Sequence, residues 1–230
     1  MTNAITPDRP PIRIAIAGVG NCASALVQGI SYYKDKPDVD LEGIMAADID
    51  GYKPSDIEVV AAFDIDKRKV GHRLDQAIFA EPNCIDIFQK EITNPDVIVQ
   101  MSPVLDGVAD HMAEYGEREA FRVATETPCN VEDVLKQSGA EILVCYLPVG
   151  SERAVKLFAE ACLSSNVAMI NCVPVFIASN PDWAEKFKRA GLPIIGDDIK
   201  SQVGATIVHR MLSRLFEDRG VDVGERVAVD

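Results

Sequence analysis

Residues 12–33 read "IRIAIAGVGNCASALVQGISYY". The apolar run "IRIAIA" has the make-up of a buried strand, and it meets the glycine turn Gly18-Val19-Gly20. "NCASALVQGISYY" then continues as a helix rich in Ala, Leu and Val. A G-x-G-x-x-A spacing gains meaning when it follows a strand and opens a helix, as it does here. In that setting Gly18 permits a tight turn, Gly20 lets the backbone approach a pyrophosphate, and Ala23 lets the helix pack close to the sheet. The helix N-terminus offers unpaired N–H groups to the anion. The competing reading is a strand-to-helix turn that merely needs small residues.

Working outward, the alternation continues. Strands are expected in "IEVVAAFDID" (57–66), "DVIVQM" (96–101), "AEILVCYLPVG" (140–150), "VAMINCV" (167–173) and "PIIG" (193–196). Helices are expected in "GVADHMAEYGEREAF" (107–121), in "NVEDVLKQSG" with Asn130 as N-cap and Gly139 as stop, and in "SERAVKLFAEACLSS" with Ser151 as N-cap. Two more follow: "NPDWAEKFKRAG", with Pro181 in its first turn, and "KSQVGATIVHRMLSRLFEDRG" (200–220), closed by Gly220. Strands and helices in this order imply right-handed βαβ units. The expected class is α/β: a Rossmann-like, doubly wound, mostly parallel sheet with helices on both faces. Residues 1–11 read as a flexible lead, 12–220 as the domain with 35–56 a turn-rich insertion, and 221–230 as the start of a further region.

The chain has 230 residues, 47% hydrophobic and 26% charged, with a formal net charge of −13. That balance argues against nucleic acid, whose phosphates need clustered Lys and Arg. It leaves room for a small anionic substrate in a locally basic pocket. Six cysteines, at 22, 84, 129, 145, 162 and 172, form no C-x-x-C pair. Several sit in apolar runs, where a free thiol acts as a small hydrophobe, so a reduced, cytoplasmic protein is expected. "MTNAITPDRPP" lacks the apolar core of a signal peptide. No apolar stretch approaches the ~20 residues of a membrane span, so neither membrane nor nucleic acid is expected as a partner. His72, His111 and His209 are scattered, and no metal site can be read from them.

The acidic partner of a dinucleotide turn is expected after the second strand, where Asp64 stands. An acid there accepts from the adenosine ribose and favours NAD over its phosphorylated form. The usual gap is about 20 residues. Asp64 lies well beyond it because the 35–56 insertion intervenes. Alternatively, Asp64 caps the following "DKRKVG" segment. Lys67, Arg68 and Lys69 could bind a 2′-phosphate or form a solvated face.

Ligands of open α/β sheets sit outside the carboxyl ends of the strands. There, "LPVGSE" brings Leu147 and Pro148 to a rim that could wall a nicotinamide or adenine, or be an ordinary loop. Asn171 could hold a hydroxyl or satisfy a local turn. In "GDDIKS", Asp197 or Asp198 could cap a helix. Lys200, however, would oppose the dipole of that helix in its first turn, and a residue that costs local stability invites a functional explanation.

The sequence resembles the inositol-3-phosphate synthases (myo-inositol-1-phosphate synthases), in their bacterial and archaeal branch. The resemblance is carried by "GVGNCASALVQGISYY", "VAAFDIDKRKVG", "YLPVGSE", "NCVPVFIASNP" and "GDDIKSQVGATIVHRMLSRLFEDRGV", in family order over nearly the whole chain. It implies an NAD-dependent isomerase converting D-glucose 6-phosphate to 1D-myo-inositol 3-phosphate, for phospholipid biosynthesis. The sugar is oxidised at C5, closed by an intramolecular aldol step between C6 and C1, and reduced again. Some members also use a divalent metal or an ammonium-like cation.

By position, the resemblance places Gly18, Gly20, Asn21, Cys22 and Ala23 at the pyrophosphate and Asp64 at the adenosine ribose. Leu147, Pro148 and Asn171 would run along the cofactor, with Asp198 and Ser201 near the nicotinamide. Asp198 and Lys200 are the catalytic candidates. The family chain is longer, continuing into a region that supplies tetramer strands and most of the substrate-binding lysines. A homo-oligomer or a complementing chain is therefore the expected partner. Alternatives are a catalytically incomplete NAD-binding module that needs a partner chain, and an unrelated sugar-phosphate dehydrogenase.

Overall fold

The structure, a computed structural model, describes residues 10–34, 43–109, 112, 114–116, 118–199 and 204–221, without the side chains of 205 and 206. Six strands, β1 (Ile12–Ala17), β2 (Ile57–Asp64), β3 (Val99–Met101), β4 (Ile142–Cys145), β5 (Ala168–Asn171) and β6 (Ile194–Ile195), form one sheet in the order β3-β2-β1-β4-β5-β6. Every pairing is parallel. The chain winds outward from β1 in one direction and from β4 in the other, so a crevice opens between their carboxyl ends.

Helices α1 (Asn21–Lys34) and α2 (Leu74–Ala77) cover one face. There Val27, Ile30 and Leu74 pack on Ile14, Ile16, Val59, Ala62 and Val144. Helices α3 (Val131–Ser138), α4 (Glu152–Ser165) and α5 (Pro181–Ala190) cover the other. Their Leu135, Val155, Phe158 and Phe187 pack on Ala15, Ala17, Phe63, Leu143 and Met169. The alternation of Ile14 and Ile16 with Ala15 and Ala17 is the period-two pattern of a strand buried on both faces. β2 breaks that period. Its register against β1 slips by one residue, so that Ile14 faces Val59 while Ala15 faces Ala61. The extra residue, Val60, returns Ala61 and Phe63 to the α4 side, where Phe63 meets Phe158 edge-on with ring centroids 5.5 Å apart.

The caps of α3 and α5 follow the sequence. Asn130 Oδ1 accepts from the Asp133 N–H, and Asn180 Oδ1 accepts from Asp182 and Trp183. Gly139 and Gly191 end their helices at φ 65° and 68°. Three expectations are met only in part or not at all. Over 107–121 the described residues form no α-helix, and the carbonyls of Met112, Tyr115 and Phe121 accept instead from the Arg122 guanidinium. Ser151 occupies the N-cap position of α4 without a side-chain cap bond. Asp106, 47 residues earlier in sequence than Arg153, caps instead: Oδ2 accepts from the Arg153 N–H at 2.6 Å and Oδ1 from Ala154 at 3.0 Å. Asp106→Ala is therefore expected to cost about 1 kcal/mol and to lower the thermal midpoint by about 2–4 °C, read by calorimetric unfolding.

The third concerns the last helix. α6 (Ala205–Asp218) begins behind Gly204 as N-cap, with no acid in its first turn. Neither Asp197 nor Asp198 caps it. Lys200 and Ser201 lie outside the described residues. The described part of the chain divides into two compact units, Met1–Asp198 and Ile199–Asp230, and α6 belongs to the second. No described helix is long and apolar enough to cross a membrane.

Candidate functional site

A cavity of about 380 Å³ lies at the crevice of the first unit. The turn after β1 gives it Gly18, Gly20 and Asn21; the end of β2 gives Asp64, Asp66 and Lys69. The loops after β3 and β4 close it with Ser102, Asp106, Gly107, Leu147, Pro148 and Ser151.

The two turn glycines differ in why they are glycine. Gly18 sits at φ 91°, and a Cβ built on it would stand 2.7 Å from the Tyr146 carbonyl oxygen. Its N–H donates to Phe63 O at 2.8 Å, so the turn is pressed between β2 and β4. A Cβ on Gly20 would meet nothing within 4 Å. The protein's own packing demands Gly18, whereas Gly20 leaves open space at the cavity wall beside the first turn of α1.

Asp64 reaches across to this turn. Its Oδ2 accepts the Val19 N–H at 2.7 Å, and its Oδ1 accepts the N–H groups of Ile65 and Asp66 at 2.7 and 2.8 Å. These last two bonds also cap the following segment, and Asp66, 1% exposed, extends the cap by accepting the Arg68 N–H and pairing with the Arg68 guanidinium at 2.9 Å. Of the neighbouring cations only Lys67 is exposed. Arg68 is held by Asp66 and Ala120 O, and Lys69 is buried, donating to Val19 O at 2.6 Å and to Asn83 Oδ1 at 3.1 Å. Burial lowers the Lys69 pKa, against the upward pull of Asp64 and Asp66.

The wall containing Pro82 and Asn83 belongs to a long stretch without regular structure, fastened by polar side chains of α1. Asn21 exchanges bonds with Cys84, donating to Sγ and accepting from the backbone N–H. Gln28, fully buried, donates to Asp86 O and accepts from the N–H groups of Phe88 and Gln89. Ser31 Oγ accepts from Thr93. Spacings of seven and three residues keep Asn21, Gln28 and Ser31 on one side of the helix.

At the end of β5, buried Asn171 turns its carboxamide to Asp197. The Asp197 carboxylate also accepts from the backbone N–H groups of Ile177, Ala178 and Ser179 and from the Ser179 hydroxyl. Desolvation pushes its pKa up. The bonds from the Ser179 hydroxyl, Asn171 and the Ala178 and Ser179 amides outweigh it, and the carboxyl is held below its ordinary value. Asp198 follows at φ 71°, donating its N–H to Val173 O.

No protein-family model matches the chain. The inositol-3-phosphate synthase of Mycolicibacterium smegmatis is 50% identical over 212 residues, 91% of this chain and 56% of its own length. That of Corynebacterium glutamicum is 48% identical over 213 residues, 92% of this chain and 57% of its own. The chain belongs to the inositol-3-phosphate synthase family. It spans about 56% of the length of the curated relatives it matches. Among solved structures, Ari2 superposes with a TM-score of 0.77 at 34% identity, covering 91% of this chain and 61% of that one. A myo-inositol-1-phosphate synthase-related protein from Thermotoga maritima superposes at 0.64 with 18% identity over 91% of this chain and 60% of its own, and so shares the fold.

In this synthase-family chain the cavity gathers Gly18, Gly20, Asn21, Asp64, Leu147 and Pro148 from the residues singled out by sequence. Cys22, exposed, and Ala23, fully buried, sit in the first turn of α1 without lining it. Asn171 and Asp198 do not line it either. Asn83 and Asp106, in loops without periodicity, carry no sequence signal as members of this wall, and Lys69, read as a 2′-phosphate ligand or part of a solvated face, is buried in it. Among the described residues, no three His, Cys, Asp or Glu side chains gather as a metal site. The six cysteines are free, and burial pushes the Cys145 thiol up to about 12 and the Cys172 thiol up to about 11, which keeps both protonated at neutral pH.

Proposed function

We propose that the cavity binds NAD and that the chain serves the NAD-dependent conversion of D-glucose 6-phosphate to 1D-myo-inositol 3-phosphate. The observation that carries this reading is Gly20. Its missing Cβ is not needed for packing, yet it opens the cavity wall at a helix N-terminus, where a pyrophosphate is best received. The residues fit the cofactor: the N–H groups at the start of α1 for the phosphates, Asp64 for the adenosine ribose, Leu147 and Pro148 for a flat ring. The chemistry that cofactor supplies is reversible removal and return of a hydride. Asp198 and Lys200 are assigned to the sugar end, with Ser201 and Asn171 beside the cofactor. A homo-oligomer or a complementing chain, a divalent or ammonium-like cation and a cytoplasmic setting belong to the same reading.

A second reading is favoured by one observation. The only described cationic side chain lining the cavity is Lys69, and it is already bound to Val19 and Asn83. The chain would then be an NAD-binding module whose sugar-phosphate contacts come from another chain. Calorimetric titration with NAD, followed by a phosphorus-NMR assay on glucose 6-phosphate, separates the two. Saturable binding with inositol phosphate formed supports the synthase, binding without product supports the module, and absence of binding sinks both.

A further inference from the structure

Lys69 is 4% exposed, and among the described residues its ammonium uses two of its three N–H donors, on Val19 O and Asn83 Oδ1. Withdrawing an ammonium from water with a donor unspent is costly. Asp64 is its mirror image. Of the roughly four lone-pair positions of a carboxylate, Val19, Ile65 and Asp66 occupy three, leaving one on Oδ2. The two side chains hold opposite ends of one residue: Asp64 takes the Val19 N–H, and Lys69 gives to the Val19 C=O. Both line the cavity. One vacant acceptor position and one vacant donor therefore stand close together on the same wall.

A vicinal diol matches that pair. One hydroxyl donates to the carboxylate while an oxygen of the diol accepts from the ammonium. A phosphate in the same place would press its negative oxygens against the Asp64 lone pair. We infer that Lys69 and Asp64 together clamp the adenosine ribose diol of the dinucleotide, with Lys69 the donor to one of the two hydroxyl oxygens. This rests on the reading that the cavity takes NAD. It adds Lys69 as a residue that touches the cofactor, as well as holding the turn.

The test titrates the whole chain and Lys69→Met with NAD, 2′-deoxy-NAD and 3′-deoxy-NAD by calorimetry. No sugar phosphate is present, so that only the cofactor can supply the diol. Lys69→Met is expected to weaken NAD by about tenfold or more. For the analogue lacking the hydroxyl that Lys69 reads, the loss should shrink to under about threefold, since that bond is already gone. Equal losses for all three ligands would show that Lys69 only holds the turn, and unchanged affinity would remove it from the site; either overturns the inference alone. A parent chain that does not bind NAD overturns the functional reading and the inference with it. Should Lys69→Met fail to fold, the parent chain alone is titrated with the three ligands: a loss of affinity for each deoxy analogue supports the clamp, and equal affinity for all three overturns it.

Discussion

Gly18→Ala and Gly20→Ala are expected to fail in opposite ways. Alanine at Gly18 must hold φ near 91° and place its Cβ 2.7 Å from the Tyr146 carbonyl oxygen. Left-handed backbone alone costs an L-residue about 1–2 kcal/mol. The clash is with main chain rather than with a side-chain tip that could swing away. Tyr146 cannot retreat easily, because its N–H is bonded to Ala17 O at 2.7 Å. A total of about 3 kcal/mol or more is expected, which lowers the thermal midpoint by roughly 6–12 °C. Alanine at Gly20 meets open space, and the chain should keep its midpoint within about 2 °C, since a Gly-to-Ala change at a permissive position is neutral or mildly stabilising. Its cost should fall on NAD, weakened about tenfold or more by a methyl group where the backbone must approach a pyrophosphate. Scanning calorimetry and NAD titration on both variants check this. If Gly20→Ala loses as much stability as Gly18→Ala, the second glycine is structural and the main support for the cofactor site is gone.

Asp197→Ala is expected to lower stability by about 2–4 kcal/mol, the size of losing several charge-assisted hydrogen bonds at once, with a midpoint drop of about 5–15 °C. The carboxylate gathers three backbone N–H groups at 177–179, the Ser179 hydroxyl and the buried Asn171 carboxamide. Removing it unfastens the segment after β5 from the one after β6. The effect has a pH signature. Because the folded carboxyl is held below its ordinary value, its contribution is complete above the unfolded pKa of about 3.9. It is lost as pH falls through the lower, folded value. Asp197→Asn should therefore flatten the acid limb of the stability curve below about pH 4, measured as denaturation midpoints. A parallel acid limb in parent and variant would place the acid sensitivity elsewhere.

The sheet was legible because each strand is a short apolar run bounded by a turn or a capping residue, a signal that needs no knowledge of distant residues. The same holds for Asn130, Gly139, Asn180 and Gly191, whose partners lie within four residues. What escaped was long in range. Asp106 caps a helix that begins 46 residues later, and Asp197 reaches back to amides some 20 residues earlier. The 107–121 segment has helical composition, yet its described residues form no α-helix, and three of its carbonyls are bound by an arginine beyond it. The candidate site divides along the same line. Gly18, Gly20 and Asp64 follow a spacing rule, whereas the burial of Lys69 depends on Val19 and Asn83, brought to it only by folding.

The stripe on α1 has a consequence for variation. Asn21, Gln28 and Ser31 hold the 84–93 stretch almost wholly by its main chain: the Cys84, Phe88, Gln89 and Thr93 amides and the Asp86 carbonyl. Main-chain groups are common to all residues except for the proline nitrogen. The path of this stretch is thus written largely in the helix, and its side chains are left free to vary except where Phe88 packs edge-on against Tyr32 and Ile92 packs on the core. An engineer could exchange the exposed side chains of this stretch while its course stays put, provided the three helix residues, Phe88 and Ile92 are kept.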